Sequence, residues 1–329
     1  MRVPVVPVKS QPWILSLVIL CFAWSAQAAP LKVAVSIPPV HSWVAQVSGD
    51  LWQPELLFSA QMDPHNTLLR PSQRHLVEQA DWVLWMGPHF ETGLRALMQR
   101  VPDERQWVLS QDAEHFVLHD LRTEGDLFAM PAQHQAPRMG FGGQTADPWA
   151  DYSGYDPHLW LDPYNAMVAL DIIAARLSAL DPAHAEVYQR NAAQAQAQLE
   201  SAMQDWSVQM MGHDWQPYVV FHDGFQYFDR AFAVPFGGAI TLNPEQLPGL
   251  QTLQRILSAM ESDRMSCLFA EVQYPQRYVA LMSQMLGLSV LEIDALGVAM
   301  PPGPDHYEAL MSALVSAFVG CAEEVLRDE

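Results

Sequence analysis

Cysteine is scarce in this chain. Only three of 329 residues are Cys, and Cys21 sits inside an apolar N-terminal run. Positive charge is also short, with 17 Lys and Arg against 37 Asp and Glu, a net charge of −20. That balance argues against nucleic acid and anionic membrane surfaces as partners and favours the gathering of cations. Three catalytic signatures are missing: the glycine-rich phosphate loop, the G-x-S-x-G nucleophile elbow and the H-E-x-x-H zinc helix. The glycine-rich stretch GFGG at 140–143 follows no strand and opens no helix, so it is discounted. Charged residues make up 16% of the chain and hydrophobic residues 50%, which excludes a disordered polymer and allows ample burial.

What is present begins with an export signal. Arg2 and Lys9 precede an apolar run at 13–24 (WILSLVILCFAW), and Ala26-Gln27-Ala28 follows as a small-x-small cleavage site. The run is too short for an ordinary membrane span. A signal peptide over 1–28 is expected. Its removal takes Arg2 and Lys9 and no acid, leaving a charge of −22. Leu20 stands where a lipoprotein signal needs a small residue before Cys21, so a soluble exported product is expected rather than a lipid-anchored one. Cys267 and Cys321 then remain. Two cysteines in an exported chain point to a disulfide rather than a metal pair, with two buried free thiols as the alternative.

A chain of 329 residues exceeds what one core ordinarily supports, so two domains are expected. Apolar runs at 32–37, 55–58, 81–86 and 106–109 read as strands, with helical stretches at 42–47, 72–79 and 91–99 between them. Such alternation implies a parallel sheet with helices on its faces. Residues 114–156 break the pattern with glycines, prolines, histidines and acids, as functional or disordered loops do. Asp162-Pro163 and Asp181-Pro182 each place a capping acid before a proline at the first helical position. Between 183 and 211 there is no Pro or Gly, and an Ala- and Gln-rich helix of roughly 45 Å is expected. Leu199, Met203, Trp206 and Met210 mark its packing stripe. Runs at 218–221, 232–235, 267–270 and 289–293 repeat the strand pattern, with helices at 245–262, 275–285 and 306–326. The expected fold is α/β, with an N-terminal lobe over 29–181, a connecting helix over 182–212 and a C-terminal lobe over 213–329.

Three histidines stand in loop-like motifs at or near the ends of apolar runs. They are His65 in DPHNTLLRPSQ, His158 in YDPHLWLDP and His222 in YVVFHDGF. Imidazole is the commonest metal-ligating side chain, and three of them leave one coordination position open. His65 follows the second strand, His222 ends the first strand of the second lobe, and Asp294, in LEIDALG, ends its last. Open α/β sheets bind ligands outside the carboxyl ends of their strands. The candidates are tens of positions apart, so only folding can unite them. Asp294 is a candidate fourth ligand, with capping of the next turn as its other reading. Asp223 is a candidate to orient the His222 ring, or else a solvated or turn-capping acid. His75, His89, His184, His213 and His306 fall in or beside helices with polar neighbours and read as structural or solvated; His41 stays open. His115, His119 and His134 lie among acids in the 114–156 loop, which is either a loose metal collector or a plain surface insertion.

Taken in order, DPHNTLLRPSQ, YDPHLWLDPYNA, the long helix opened by Asp-Pro, FHDGFQYF and EIDALG resemble the metal-binding receptors of bacterial ABC importers, over essentially the whole mature chain. The resemblance implies two Rossmann-like lobes with mainly parallel sheets, joined by one long rigid helix, and an ion held between them. It implies a periplasmic, monomeric receptor, not an enzyme, that passes its ion to the membrane permease of an ABC importer. His222 stands where zinc-type members carry His and manganese-type members a carboxylate. Three nitrogen donors suit zinc, whereas manganese prefers more oxygen. Zn²⁺ is therefore the expected cargo, with manganese or iron on the same scaffold as the alternative. The resemblance further implies a disulfide in the second lobe, carried onto Cys267 and Cys321. Two departures stand out. Pro64 occupies a place where some zinc-type members have Glu, which leaves Asp294 or water as the fourth ligand. The 114–156 loop holds three histidines where relatives often hold many. A three-His zinc hydrolase is a further alternative, with Glu271, after the third strand of the second lobe, as its candidate base; an extracellular adhesion or metal-storage module is another, for which nothing in the sequence speaks directly.

Overall fold

A computed structural model describes residues 30–66, 68–122, 154–241, 254, 258, 267–274, 276–286 and 290–328. The expected signal peptide, His134 and all but two positions of the helix expected at 245–262 lie outside the described residues. Residues Leu31–Glu329 form one compact unit.

Two four-stranded parallel sheets organise that unit. The first contains β1 (Val33–Val35), β2 (Glu55–Leu56), β3 (Trp82–Trp85) and β4 (Gln106–Val108), in the order β2-β1-β3-β4. The second contains β5 (Tyr218–His222), β6 (Phe236–Thr241), β7 (Cys267–Glu271) and β8 (Val290–Ile293), in the order β6-β5-β7-β8. Every pairing is parallel. The inner strands β1, β3, β5 and β7 are buried at every position. Helices cover both faces of such strands, so they read as continuous apolar runs rather than alternating ones. Both sheets therefore have one topology, two α/β lobes built by the same rule.

The helices are α1 (Pro38–Ser48), α2 (Pro71–Gln79), α3 (Arg95–Met98), α4 (Pro163–Leu180), α5 (Ala185–Met210), α6 (Gln226–Phe232), α7 (Gln276–Leu286) and α8 (His306–Asp328). Helix α4 starts as its sequence predicts: Pro163 opens it and the Asp162 carboxylate accepts the Tyr164 N–H at 2.8 Å. Asp181 does not cap α5 in the same way. Its carboxylate accepts from the Tyr188 hydroxyl at 2.9 Å and meets His184 Nδ1 at 2.6 Å, and Pro182–His184 form a 3₁₀ turn. The long helix therefore starts at Ala185, and its 26 residues rise about 39 Å.

Helix α5 buries Tyr188, Ala192, Ala195, Leu199, Ala202, Trp206 and Met210, a stripe stepping by three and four. Its alanines let α1 and α4 approach closely. Near its start, Trp52 Nε1 donates to the Tyr188 hydroxyl at 3.0 Å; near its end, Trp206 Nε1 donates to Ser312 Oγ on α8 at 3.0 Å. One helix is thus tied to both lobes. Truncating Trp206 to Ala would cost about 3–5 kcal/mol, since its ring is fully buried at that junction.

Two elements differ from their sequence reading. The run 232–235 is not a strand. Helix α6 ends at Phe232, Ala233 takes a left-handed conformation (φ 55°), and β6 starts at Phe236. Sequence FGGAIT looks like a turn because of its two glycines. In the sheet, Tyr218 pairs with Phe236 and Val219 with Gly238, so an extra residue is accommodated at the edge strand, where a glycine is tolerated. The helix expected at 91–99 is a 3₁₀ turn (Thr92–Leu94) followed by the single turn of α3. A disulfide joins Cys267, the first residue of β7, to Cys321 on α8, with Cα atoms 5.9 Å apart. Among the described residues no helix is long and apolar enough to cross a membrane.

Candidate metal centre

The two Asp-Pro-His motifs fold by the same local rule. In each, the Asp carboxylate accepts the N–H of the His two residues on: Asp63 Oδ1 to His65 N at 3.0 Å, and Asp156 Oδ1 to His158 N at 2.9 Å. The intervening proline presets the turn, and the short acid closes it. His65 thus follows β2, and His158 precedes the 3₁₀ turn Leu159–Leu161 that leads into α4. His222 is the last residue of β5. Its partner is Glu271 at the end of the neighbouring strand β7, whose Oε1 accepts the His222 N–H at 2.8 Å while Oε2 meets Nδ1 at 2.9 Å.

Folding brings these three rings together. Ligand atoms of His65, His158 and His222 all lie within 4.8 Å of one another. Ring centroids are 5.6 Å apart for His65 and His158, 5.5 Å for His65 and His222, and 4.9 Å for His158 and His222. Nδ1 of His158 meets Asp156 Oδ1 at 2.7 Å, as Nδ1 of His222 meets Glu271. A carboxylate at Nδ1 holds the proton there and leaves Nε2 with a lone pair directed at the cluster. Among the described residues, Nε2 of His65 and Nε2 of His222 are sealed from solvent and find no hydrogen-bond partner. Orphaned acceptors of this kind are costly unless something binds them. Phe90 walls the site, edge-on to His65 at 4.5 Å and to His158 at 5.4 Å.

Electrostatics divides the rings. Burial, then the neighbouring His222 and His158 rings, push His65 well below the ordinary imidazole value. Burial acts on His222 as well, but the Glu271 charge and hydrogen bond outweigh it and raise the ring above that value. Burial would raise Asp156, yet the His158 ring and the hydrogen bonds it receives hold its carboxyl below the usual range.

Other residues singled out in the sequence lie elsewhere. Asp294 is not in the imidazole group. Its Oδ1 accepts the N–H groups of Leu296 and Gly297, both at 2.9 Å, and the Gln273 amide; its Oδ2 accepts the Val298 N–H. It caps the turn after β8. Asp223 does not orient His222; it pairs with Arg122 Nη1 at 2.6 Å. Glu271 takes the orienting role, and both its oxygens are occupied by it. His115 is exposed and bonded to Asp112, and His119 is half-buried against Tyr227 and pushed down to about 4 by burial and by Arg230. His306 is buried between the Leu296 and Pro301 carbonyls, and His41 against the Pro54 carbonyl, both structural.

Sequence reasoning missed Asp156 and Gly224. The first was legible in the repeated Asp-Pro-His motif. A Cβ on Gly224 would stand 2.5 Å from His222 Cε1 and 3.2 Å from His158 Nε2, so only glycine leaves the rings their room.

A two-lobed α/β scaffold with three imidazoles gathered between parallel sheets defines the class: a solute-binding receptor with a site fit for a metal ion. The family described as "Zinc-uptake complex component A periplasmic" matches residues 33–321, and the chain belongs to it. It is 28% identical over 303 residues to the High-affinity zinc uptake system protein ZnuA of Brucella abortus, covering 88% of this chain and 91% of that one. The protein of the same name from Paracoccus denitrificans is 28% identical over 325 residues, covering 91% and 94%. A crystal structure of ZnuA superposes with a TM-score of 0.70 at 20% identity, covering 89% of this chain and 100% of that one, which is a likeness of fold.

Proposed function

We propose that this chain is an exported, monomeric receptor that captures Zn²⁺ between its lobes in the periplasm and hands it to the membrane permease of an ABC importer. His65, His158 and His222 bind the ion as neutral imidazoles through Nε2. The lobes run over 29–181 and 213–329, with 182–212 as the connecting segment that carries helix α5. A water fills the fourth position, because the Asp294 oxygens are already committed to the amides of 296–298 and Gln273. The observation that carries this reading is three imidazole donors within 4.8 Å, two of them buried without a partner among the described residues.

Zinc is favoured over manganese or iron because among the described residues no carboxylate joins the group, and an all-nitrogen set suits the softer ion. Binding is favoured over hydrolysis because Glu271, the acid nominated as a base, uses both oxygens to hold His222. Elemental analysis of the purified protein, paired with His222→Ala, tests the reading. Equimolar zinc in the wild type and its loss in the variant are expected. A wild type that stays empty in excess zinc, or a variant that loads as fully, would sink it.

A further inference from the structure

Residues 117–122 belong to the first lobe but end inside the second. Asn165 on α4 anchors the start, accepting the Val117 N–H at 3.0 Å and donating to its carbonyl at 3.1 Å. Further on, Asp120 forms an antiparallel bridge with Tyr155, one residue before Asp156. The segment then delivers Arg122 to three parts of the second lobe. Nη1 donates to Asp223 at 2.6 Å, Nη2 donates to Asp229 on α6 at 2.7 Å, and Cζ lies 3.7 Å from the Phe236 ring centroid on β6. The Arg122 side chain is 14% exposed and the two acids 5% and 4%. Ion pairs this buried are hard to break, because departure of the guanidinium strands two carboxylates in the interior. Adjacent contacts run the same way: the Gln226 amide on α6 donates to the Asp120 carbonyl at 3.0 Å, and the Tyr227 hydroxyl donates to the Asp156 carbonyl at 2.8 Å.

We infer that Arg122 is a positioning residue for metal retention: by tying segment 117–122 to Asp223 and Asp229, it holds the turn after His222 against His65 and His158 and slows release of the ion. The inference rests on the receptor reading above. Arg122 acts through Asp223, the residue next to the third imidazole, and not on the ion. A role through its charge alone would have the opposite sign, since a guanidinium near the site repels a cation and its removal would tighten binding.

Stopped-flow mixing of zinc-loaded protein with excess chelator reads the release rate. Arg122→Met keeps apolar bulk over Phe236 and removes both donors. Release about 10- to 100-fold faster is expected, as for other partners that orient metal ligands, with the absorption bands of the Co²⁺-substituted protein unchanged. Arg122→Lys keeps the charge but lacks the planar fork that reaches two carboxylates, so its rate falls between the two. Should the Met variant fail to fold, the Lys variant decides: release at the wild-type rate overturns the inference. Unchanged or slower release in Arg122→Met, even with a lowered melting midpoint of the metal-free protein, overturns it as well. A wild type that never loads zinc is a different result, which removes the receptor reading and this inference with it.

Discussion

Glu271 grips His222 at two points, its Oε1 accepting the backbone N–H at 2.8 Å and its Oε2 meeting ring Nδ1 at 2.9 Å, and both residues are buried. They end adjacent strands, so the grip is built into the register of the second sheet. It fixes the ring's rotation and keeps the proton on Nδ1. Glu271→Gln retains the shape, but one of its two terminal atoms becomes a donor facing a donor. Zinc affinity should fall about 10- to 100-fold in a chelator competition titration. Wild-type affinity in that variant would remove Glu271 from the orienting role.

Gly224→Ala should close the site without dismantling the lobe. The new methyl would meet His222 Cε1 at 2.5 Å and His158 Nε2 at 3.2 Å, so the rings must move apart. Overpacking of this kind costs about 1–3 kcal/mol of stability. Loss of zinc uptake by calorimetry, with circular dichroism like that of the wild type, is the expected pair of results. Normal uptake would mean that the cluster tolerates displacement.

Zinc affinity should fall as pH falls, because protons compete for the same lone pairs. The two shifted rings act differently. His65 lies well below 6.5 and stays neutral over most of the range, whereas His222 lies above 6.5 and takes up a proton first. The loss therefore begins above the ordinary imidazole value and deepens below it. Calorimetry at about pH 7.5 and about pH 5 checks this, and equal affinity at the two would refute it.

Glu91 gives the metal-free protein a separate pH dependence. Its carboxylate is buried and accepts the N–H groups of Met86 at 3.0 Å and Gly87 at 2.8 Å. Burial, only partly offset by these bonds, raises it from 4.5 to about 7. For an acid raised in the folded state, the stability contribution is full below the unfolded value and is lost as pH rises through the folded value. The loss would reach roughly 3 kcal/mol between about pH 4.5 and pH 7. Urea denaturation of wild type and Glu91→Gln should therefore give a stability difference that moves in the variant's favour from about pH 5 to about pH 8. A constant difference would contradict it.

Much of the architecture was legible in the chain. Strands buried on both faces need unbroken apolar runs, and VAV, WVLW, YVVFH and CLFAE supply them. The Asp-Pro-His motifs announced their turns because acid, proline and His interact within three residues. Strand β6 was placed four residues early because two glycines interrupt its apolar run and weaken the strand signal. At Asp181 the signal for a helix start was present, but His184 and Tyr188, three and seven residues on, claimed its carboxylate.

The amino-acid order by itself determined the local events: which runs become strands, where α4 begins, and that His65, His158 and His222 stand on or beside turns at strand and helix ends. Tertiary structure alone decided that Glu271 serves the His222 ring and that Asp223 goes to Arg122 instead. Glu271 reaches His222 across 49 positions and Arg122 reaches Asp223 across 101. Hydrogen-bond partners over such separations are chosen by strand adjacency and lobe packing, and neither leaves a periodicity or spacing that can be read along the chain.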